Sequence, residues 1–217
     1  MLEAVHEVHQ HNIVHADLKP SNFLLVESQL KVIDFGLAAE LLPGSEHVLR
    51  KLMAGTRDYM APETLSGYVI ENGVMNRAAM RDIAGVRVST KSDVWALGVI
   101  LYQTVFGMLP FAAVPGGRLA KIACMIDLDM PVEFDESAEL DPLLLDTMKR
   151  CLEKRPENRA SVAELLRHPY VRPVHGLAAA KAQAALGLSG QLCPSCKTRH
   201  REMARLSKKR LNAYNLI

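Results

Sequence analysis

Cysteine is scarce in this 217-residue chain: four residues, of which Cys124 and Cys151 stand in apolar, helix-patterned surroundings and Cys193 and Cys196 form one CxxC pair. That number and spacing make no disulfide framework, so a reducing, intracellular setting in cytoplasm or nucleus is expected. Long apolar runs are missing too. The longest, Val94 to Gly107, is interrupted by Gln103 and is too short to cross a bilayer, so a buried helix and no membrane partner are expected. The opening Met1-Leu2-Glu3-Ala4-Val5-His6-Glu7 carries acids where a secretory signal needs basic residues, and secretion is not expected. There is no internal repeat and little net charge, +2 overall. That small figure hides an asymmetry: Lys197 to Arg210 holds seven Lys or Arg against one Glu, so the rest of the chain is acidic.

With 49% hydrophobic residues the chain can bury one sizeable core, and its length fits one domain plus an extension. Leu2, Val5 and Val8 recur at helical spacing, which predicts a helix over residues 1 to 11 without an N-cap. Phe23 to Val26 and Leu30 to Ile33 read as two short strands separated by Glu27-Ser28-Gln29, a hairpin. Residues 38 to 57 look irregular around the Pro43-Gly44 turn, and 64 to 92 read as a long connecting insertion. From Ser92-Asp93 to Tyr102 a nearly all-apolar helix should be the hub of the core. Helices are expected at Leu119 to Ile126, at Pro142 to Leu152 and at Ser161 to Arg167, the last with a Ser161/Glu164 capping box. Pro173 and Gly176 close the compact region, followed by an alanine-rich stretch and the basic tail.

The chemistry is concentrated near the start. His15-Ala16-Asp17-Leu18-Lys19-Pro20-Ser21-Asn22, then Asp34-Phe35-Gly36, then Ala61-Pro62-Glu63 follow one another in the order a phosphoryl-transfer site requires. Such a site needs an acceptor for the incoming hydroxyl, metal ions across the phosphates and positive charge beside the transferring group. Asp17 is the candidate acceptor and Lys19 the candidate cation for the γ-phosphate of ATP; Asn22 and Asp34 are hard oxygen ligands suited to Mg²⁺. Any one of these acids alone would read as a turn former or a solvated charge. Three motifs in order, with a hairpin between the first two, argue against chance.

On these motifs residues 1 to about 171 resemble the C-terminal lobe of a eukaryotic protein kinase, and Asp17-Leu18-Lys19-Pro20 resembles its serine/threonine form. Asn22-Phe23-Leu24, the insertion with Glu71-Asn72-Gly73, Lys91-Ser92-Asp93-Val94-Trp95 and Glu164-Leu165-Leu166-Arg167-His168-Pro169-Tyr170-Val171 resemble the monopolar-spindle dual-specificity kinases of the mitotic spindle checkpoint. The resemblance implies an α+β, mainly helical C-lobe at 1–171 and a tail at 172–217 outside it. It also implies ATP and Mg²⁺ as cofactors, a protein substrate, and a kinetochore setting. By the same resemblance Leu24 and Ile33 would floor the adenine pocket, Gly55-Thr56 would lie beside the substrate, Asp93 would brace the catalytic loop, and Glu63 would pair with Arg159.

Departures from the family pattern matter as much. No glycine-rich phosphate loop or phosphate-binding lysine strand precedes Asp17, so the N-terminal lobe is expected to be absent from this chain. This leaves a second reading: an inactive fragment serving as a binding or scaffold module through apolar surface exposed where the other lobe would dock. Ala16 stands where most of the family has arginine, so a phosphate on the following segment cannot be gripped from there; Arg50, Lys51 and Arg57 are the other basic candidates, with Ser45, Thr56 and Tyr59 as hydroxyls. In the tail, Cys193, Cys196 and His200 offer three zinc-ligand groups where a structural site wants four. Residues 197–210 could meet an anionic partner, nucleic acid included.

Overall fold

The structure, a computed structural model, describes residues 1–50, 54–65, 70–71, 74–75, 85–135 and 138–172. The tail, with its CxxC pair and basic run, most of the 64–92 insertion and Lys51 lie outside the described residues.

Helix α1, Leu2–Gln10, has no side-chain cap at its start and buries Val5 completely. It leads into strand β1, Ile13–Val14, and then the catalytic-loop candidate, which ends in a 3₁₀ turn at Pro20–Asn22. Strands β2, Phe23–Val26, and β3, Gln29–Val32, form the expected hairpin, with Val26 opposite Gln29. The loop is therefore two residues, one fewer than the sequence indicates: Glu27 and Ser28 both take positive φ, 48° and 65°. This is the twist a two-residue hairpin needs, taken up here without glycine.

The supposedly irregular 38–57 segment contains two strands. β4, Ala39–Glu40, pairs antiparallel with β1, and β5, Val48–Arg50, pairs antiparallel with β8, Val86–Val88, at the far end of the insertion. Between them lie a 3₁₀ turn at Arg57–Tyr59, helix α2, Pro62–Leu65, and a short pair β6, Ile70–Glu71, with β7, Val74–Met75. The insertion is thus anchored at its end by a ladder back to the preceding segment. Strands of two or three residues carry no readable alternation, and a partner about forty positions away leaves no local mark.

Helix α3, Thr90–Phe106, is longer than its apolar run suggests because Ser89 caps it and Ser92 returns a bond to the Ser89 amide, a capping box. One face of α3, with Val94, Ala96 and Leu97, packs against α1 and the hairpin residues Phe23 and Val32. Another, with Trp95, Val99, Tyr102 and Phe106, packs under Ala61 and against Met148 and Leu152. Those last two belong to or adjoin α5, Pro142–Cys151, which starts at an Asp141 cap with proline in its first turn. Helices α4, Gly117–Ile126, and α6, Val162–Arg167, complete the fold, and α6 carries the expected Ser161/Glu164 capping box. Among the described residues no helix is long and apolar enough to cross a membrane.

Cys124 and Cys151 are both free and buried, and burial pushes their thiols up to about 11 and about 12. Lys154 is also buried, 5% exposed, with Nζ donating to the carbonyls of Cys124 and Asp127 at 2.6 Å each, so it closes the C-terminus of α4. Burial lowers its ammonium to about 8 although Asp127 pulls the other way.

Three expected outcomes follow from this packing. A Cβ on Gly98 would sit 2.6 Å from Cβ of Cys151 and 3.0 Å from two atoms of Leu152, so Gly98→Ala should force α3 and α5 apart and cost about 1–3 kcal/mol in urea unfolding. Glu63→Ala would strip the fully buried Arg159 guanidinium of its bidentate partner, described below, and should cost about 3–5 kcal/mol, read from the fluorescence of the single tryptophan, Trp95. Between about pH 8 and 10.5 the unfolded lysine still binds a proton that folded Lys154 has lost, so stability should rise with pH in that window. Relative to Lys154→Met, the gain should be about 1–3 kcal/mol, measured by urea titration at the two ends.

Candidate active site

The candidate catalytic loop is held by one carboxylate. Asp93, in the first turn of α3 and 1% exposed, accepts from the amides of His15 (2.9 Å) and Ala16 (2.8 Å) and from the His9 ring (2.8 Å). Ala16 sits at φ 64°, a left-handed backbone that a residue with a Cβ adopts only at a cost. The pair of bonds to Asp93 holds it there. His15 is fully buried; its Nε2 lies 3.0 Å from the Ile33 carbonyl, which can only accept, so that nitrogen carries the proton. Its ring meets Phe35 edge-on at 5.1 Å. The loop and the Asp34-Phe35-Gly36 segment are thereby tied together, and the Ile33 amide adds a bond to the Asn22 carbonyl at 2.9 Å.

Asp17, Lys19 and Asn22 come together. Lys19 Nζ is 2.7 Å from Asp17 Oδ2, and the Asn22 amide donates to the Asp17 backbone carbonyl at 2.9 Å. Asn22 is 4% exposed, and its donation leaves the side-chain oxygen as a hard acceptor. Asp34 is exposed and at φ 64°, with Oδ1 accepting from the Gly36 amide at 3.3 Å. One amide oxygen and one carboxylate suit Mg²⁺, which fills the rest of its octahedron from phosphate and water. Among the described residues no group of three or more His, Cys, Asp or Glu is placed to hold a metal ion. Leu24 and Ile33 lie on the same outward face of the hairpin, 51% and 38% exposed, while Phe23 and Val32 turn into the core.

Thr56, expected beside the substrate, proves to be part of the polar site itself. Its amide and hydroxyl both donate to Asp17 Oδ1, at 2.7 and 2.8 Å, and Lys19 Nζ reaches Thr56 Oγ1 at 3.1 Å. The signal was the preceding glycine: Gly55 has φ 122°, and a Cβ there would lie 3.1 Å from the Ala16 carbonyl, so only glycine lets the two loops close on each other. Burial tends to raise the Asp17 carboxyl, but the bonds from Lys19 and Thr56 outweigh it and hold the group below its ordinary value.

The shelf beneath this site is built by Glu63 and Arg159. Arg159, with no exposed side-chain surface, donates to both Glu63 oxygens at 2.8 and 2.9 Å and to the carbonyls of Lys91, Lys154 and Glu153, and stacks over Trp95 at 5.2 Å. Tyr59 reaches Gln103 at 2.8 Å, which explains the polar residue in the apolar run of α3. Arg50, a candidate phosphate partner in the absence of an arginine at position 16, donates from Nη2 to the Leu37 carbonyl; burial lowers its guanidinium and the nearby Asp93 charge counters that.

A family model described as a protein kinase domain matches residues 1–171. Dual specificity protein kinase Ttk of Danio rerio is 42% identical over 172 residues, 79% of this chain and 16% of that protein. Its namesake TTK of Mus musculus is 41% identical over 174 residues, 79% of this chain and 19% of that protein. Serine/threonine-protein kinase mph1 of Schizosaccharomyces pombe is 39% identical over 206 residues, 88% of this chain and 29% of that protein. The chain thus spans less than a third of the length of each. With the kinase motifs standing in one connected polar site and the family model covering the whole described domain, this chain belongs to the protein kinase family.

Proposed function

We propose that residues 1–171 work as the C-terminal lobe of a serine/threonine or dual-specificity protein kinase that moves the γ-phosphate of ATP to a protein hydroxyl, with residues 172–217 outside the lobe. The observation that carries this reading is the Asp17 carboxylate, gripped on one oxygen by Lys19 and on the other by Thr56. Because its pKa is lowered, Asp17 is anionic at neutral pH: it orients the substrate hydroxyl as an acceptor and takes the proton only as the new P–O bond forms and the bond to ADP breaks. The Lys19 ammonium, held between Asp17 and Thr56, stands beside the incoming phosphoryl group. Asn22 and Asp34 would hold Mg²⁺, and Leu24 and Ile33 would support the adenine ring. Bound Mg²⁺ would supply neutralisation of the phosphate charge. Likeness to the Ttk kinases supports a role in mitotic spindle checkpoint signalling and a kinetochore setting.

A second reading has its own support. Leu24 and Ile33 expose 51% and 38% of their surface on the outward face of the hairpin, and Phe35, just after it in sequence, exposes 46%, an apolar patch suited to covering by another unit. If this chain acts alone, that patch serves a binding role without catalysis.

Joining the chain to the nucleotide-holding lobe of the Danio rerio relative and following radiolabelled γ-phosphate transfer to a generic acceptor protein decides between them. Activity that falls by three or more orders of magnitude in Asp17→Asn supports the kinase reading, since orientation and proton transfer are lost together; equal activity in that variant, or none in the parent, rejects it. Thr56→Val should raise the Asp17 pKa toward the ordinary carboxylate value, measured by carboxyl-carbon NMR titration. The stabilisation that Asp17 contributes is present above that ordinary value and is lost as pH falls through the folded one, so the variant should lose it at higher pH. Transfer should drop on the order of ten- to a hundred-fold as the acceptor loses its fixed position.

A further inference from the structure

Away from the active site, the 128–140 loop stands off α5 and encloses an open groove of about 1020 Å³. Its floor is apolar, from Met130, Val132, Phe134, Leu145 and Leu152. Its lining carries the exposed carboxylates Asp129 and Glu139 and the half-buried Glu153, against two lysines. One of those lysines, Lys154, is turned inward onto the carbonyls of Cys124 and Asp127, so its charge is directed away from the groove. An apolar floor under an acidic rim fits a ligand that is cationic and carries apolar side chains among its charges.

The chain contains such a segment. Lys197 to Arg210 has seven cations and one acid, with Met203 and Leu206 among them and Leu211 just beyond. The described chain ends against α5, the helix that supplies one side of the groove: the Arg172 amide bonds the His168 carbonyl at 2.9 Å, and the His168 ring reaches Asp146 (2.8 Å) and Thr147 (3.0 Å) on α5. Leu145 and Lys149, within one turn of Asp146, line the groove. Twenty-four residues separate Arg172 from Lys197. At most ~3.3 Å per residue they reach on the order of 80 Å, several times what the gap requires.

We propose that this groove is the docking site of the chain's own basic segment, Lys197–Arg210, held by charge pairing at the rim and by apolar contact on the floor. The domain thereby provides an anionic partner for its tail in cis. The tail competes for this groove with any cationic protein surface, and this face of α5 is open to partners only when the tail is displaced.

The test uses the full-length chain and hydrogen exchange of the 128–140 amides at low ionic strength. Lys208→Glu/Lys209→Glu/Arg210→Glu leaves the described domain untouched and should speed that exchange about five-fold, the scale of two or three surface ion pairs. Asp129→Lys/Glu139→Lys, two exposed positions, should do the same, and combining both sets should restore protection, which a merely structural effect of either set cannot do. Raising salt to about 0.5 M should abolish the difference between wild type and variants. The proposal is overturned if the tail variant leaves 128–140 exchange unchanged or if the combined variant shows no recovery. Protection that grows with protein concentration also overturns it, since the occupant would then be a second copy's tail. Should Asp129→Lys/Glu139→Lys disturb the α3 amides, the tail variant alone decides.

Discussion

A single buried carboxylate organises the candidate site of this protein. Asp93 lies in the first turn of the central helix, where the amide dipoles favour a negative charge, and it reaches forward to two consecutive amides of the catalytic loop and sideways to His9 of the first helix. Three separate elements are registered by one group. A carboxylate this deep is tolerable only because donors meet both its oxygens. The arrangement holds Ala16 in a backbone conformation that alanine does not favour, and so places Asp17 where Thr56 can meet it.

The site and its support are then a chain of polar contacts laid over an apolar hub. Asp93 fixes the loop, the loop presents Asp17, and Asp17 draws in Lys19 on one oxygen and Thr56 on the other. Below it the Glu63–Arg159 pair locks the segment after Thr56 onto the helices, with Ser92 bonded to Glu63 Oε1 at 3.0 Å. The two networks meet at the start of α3, where Ser92 and Asp93 are neighbours in sequence. Local order in the loops is therefore inherited from the best-packed helix of the domain.

Much of this was legible in the sequence. Residue type and order singled out Asp17, Lys19 and Asn22, which the fold brings together, and periodicity with capping signals located α1 and every helix from α3 onward. What escaped has physical causes. The β5–β8 ladder joins short strands across a long insertion, so neither alternation nor turn chemistry announces it. The hairpin uses Glu27 and Ser28 in left-handed conformations that their residue types do not advertise. Thr56 was expected beside the substrate, but its grip on Asp17 spans 39 positions and leaves no local mark beyond the glycine before it. Gln103 looked like an interruption in an apolar helix because its partner, Tyr59, is distant in sequence.

The two core thiols are chemically quiet. Cys124 and Cys151 lie inside the packing and hold their protons far above neutral pH, so the reactive thiolate is nearly absent from the core. Oxidants, alkylating reagents and electrophilic ligands would find no foothold at either position while the domain is folded. Loss of that resistance at Cys151, which packs against α3, would mark the opening of the hub itself.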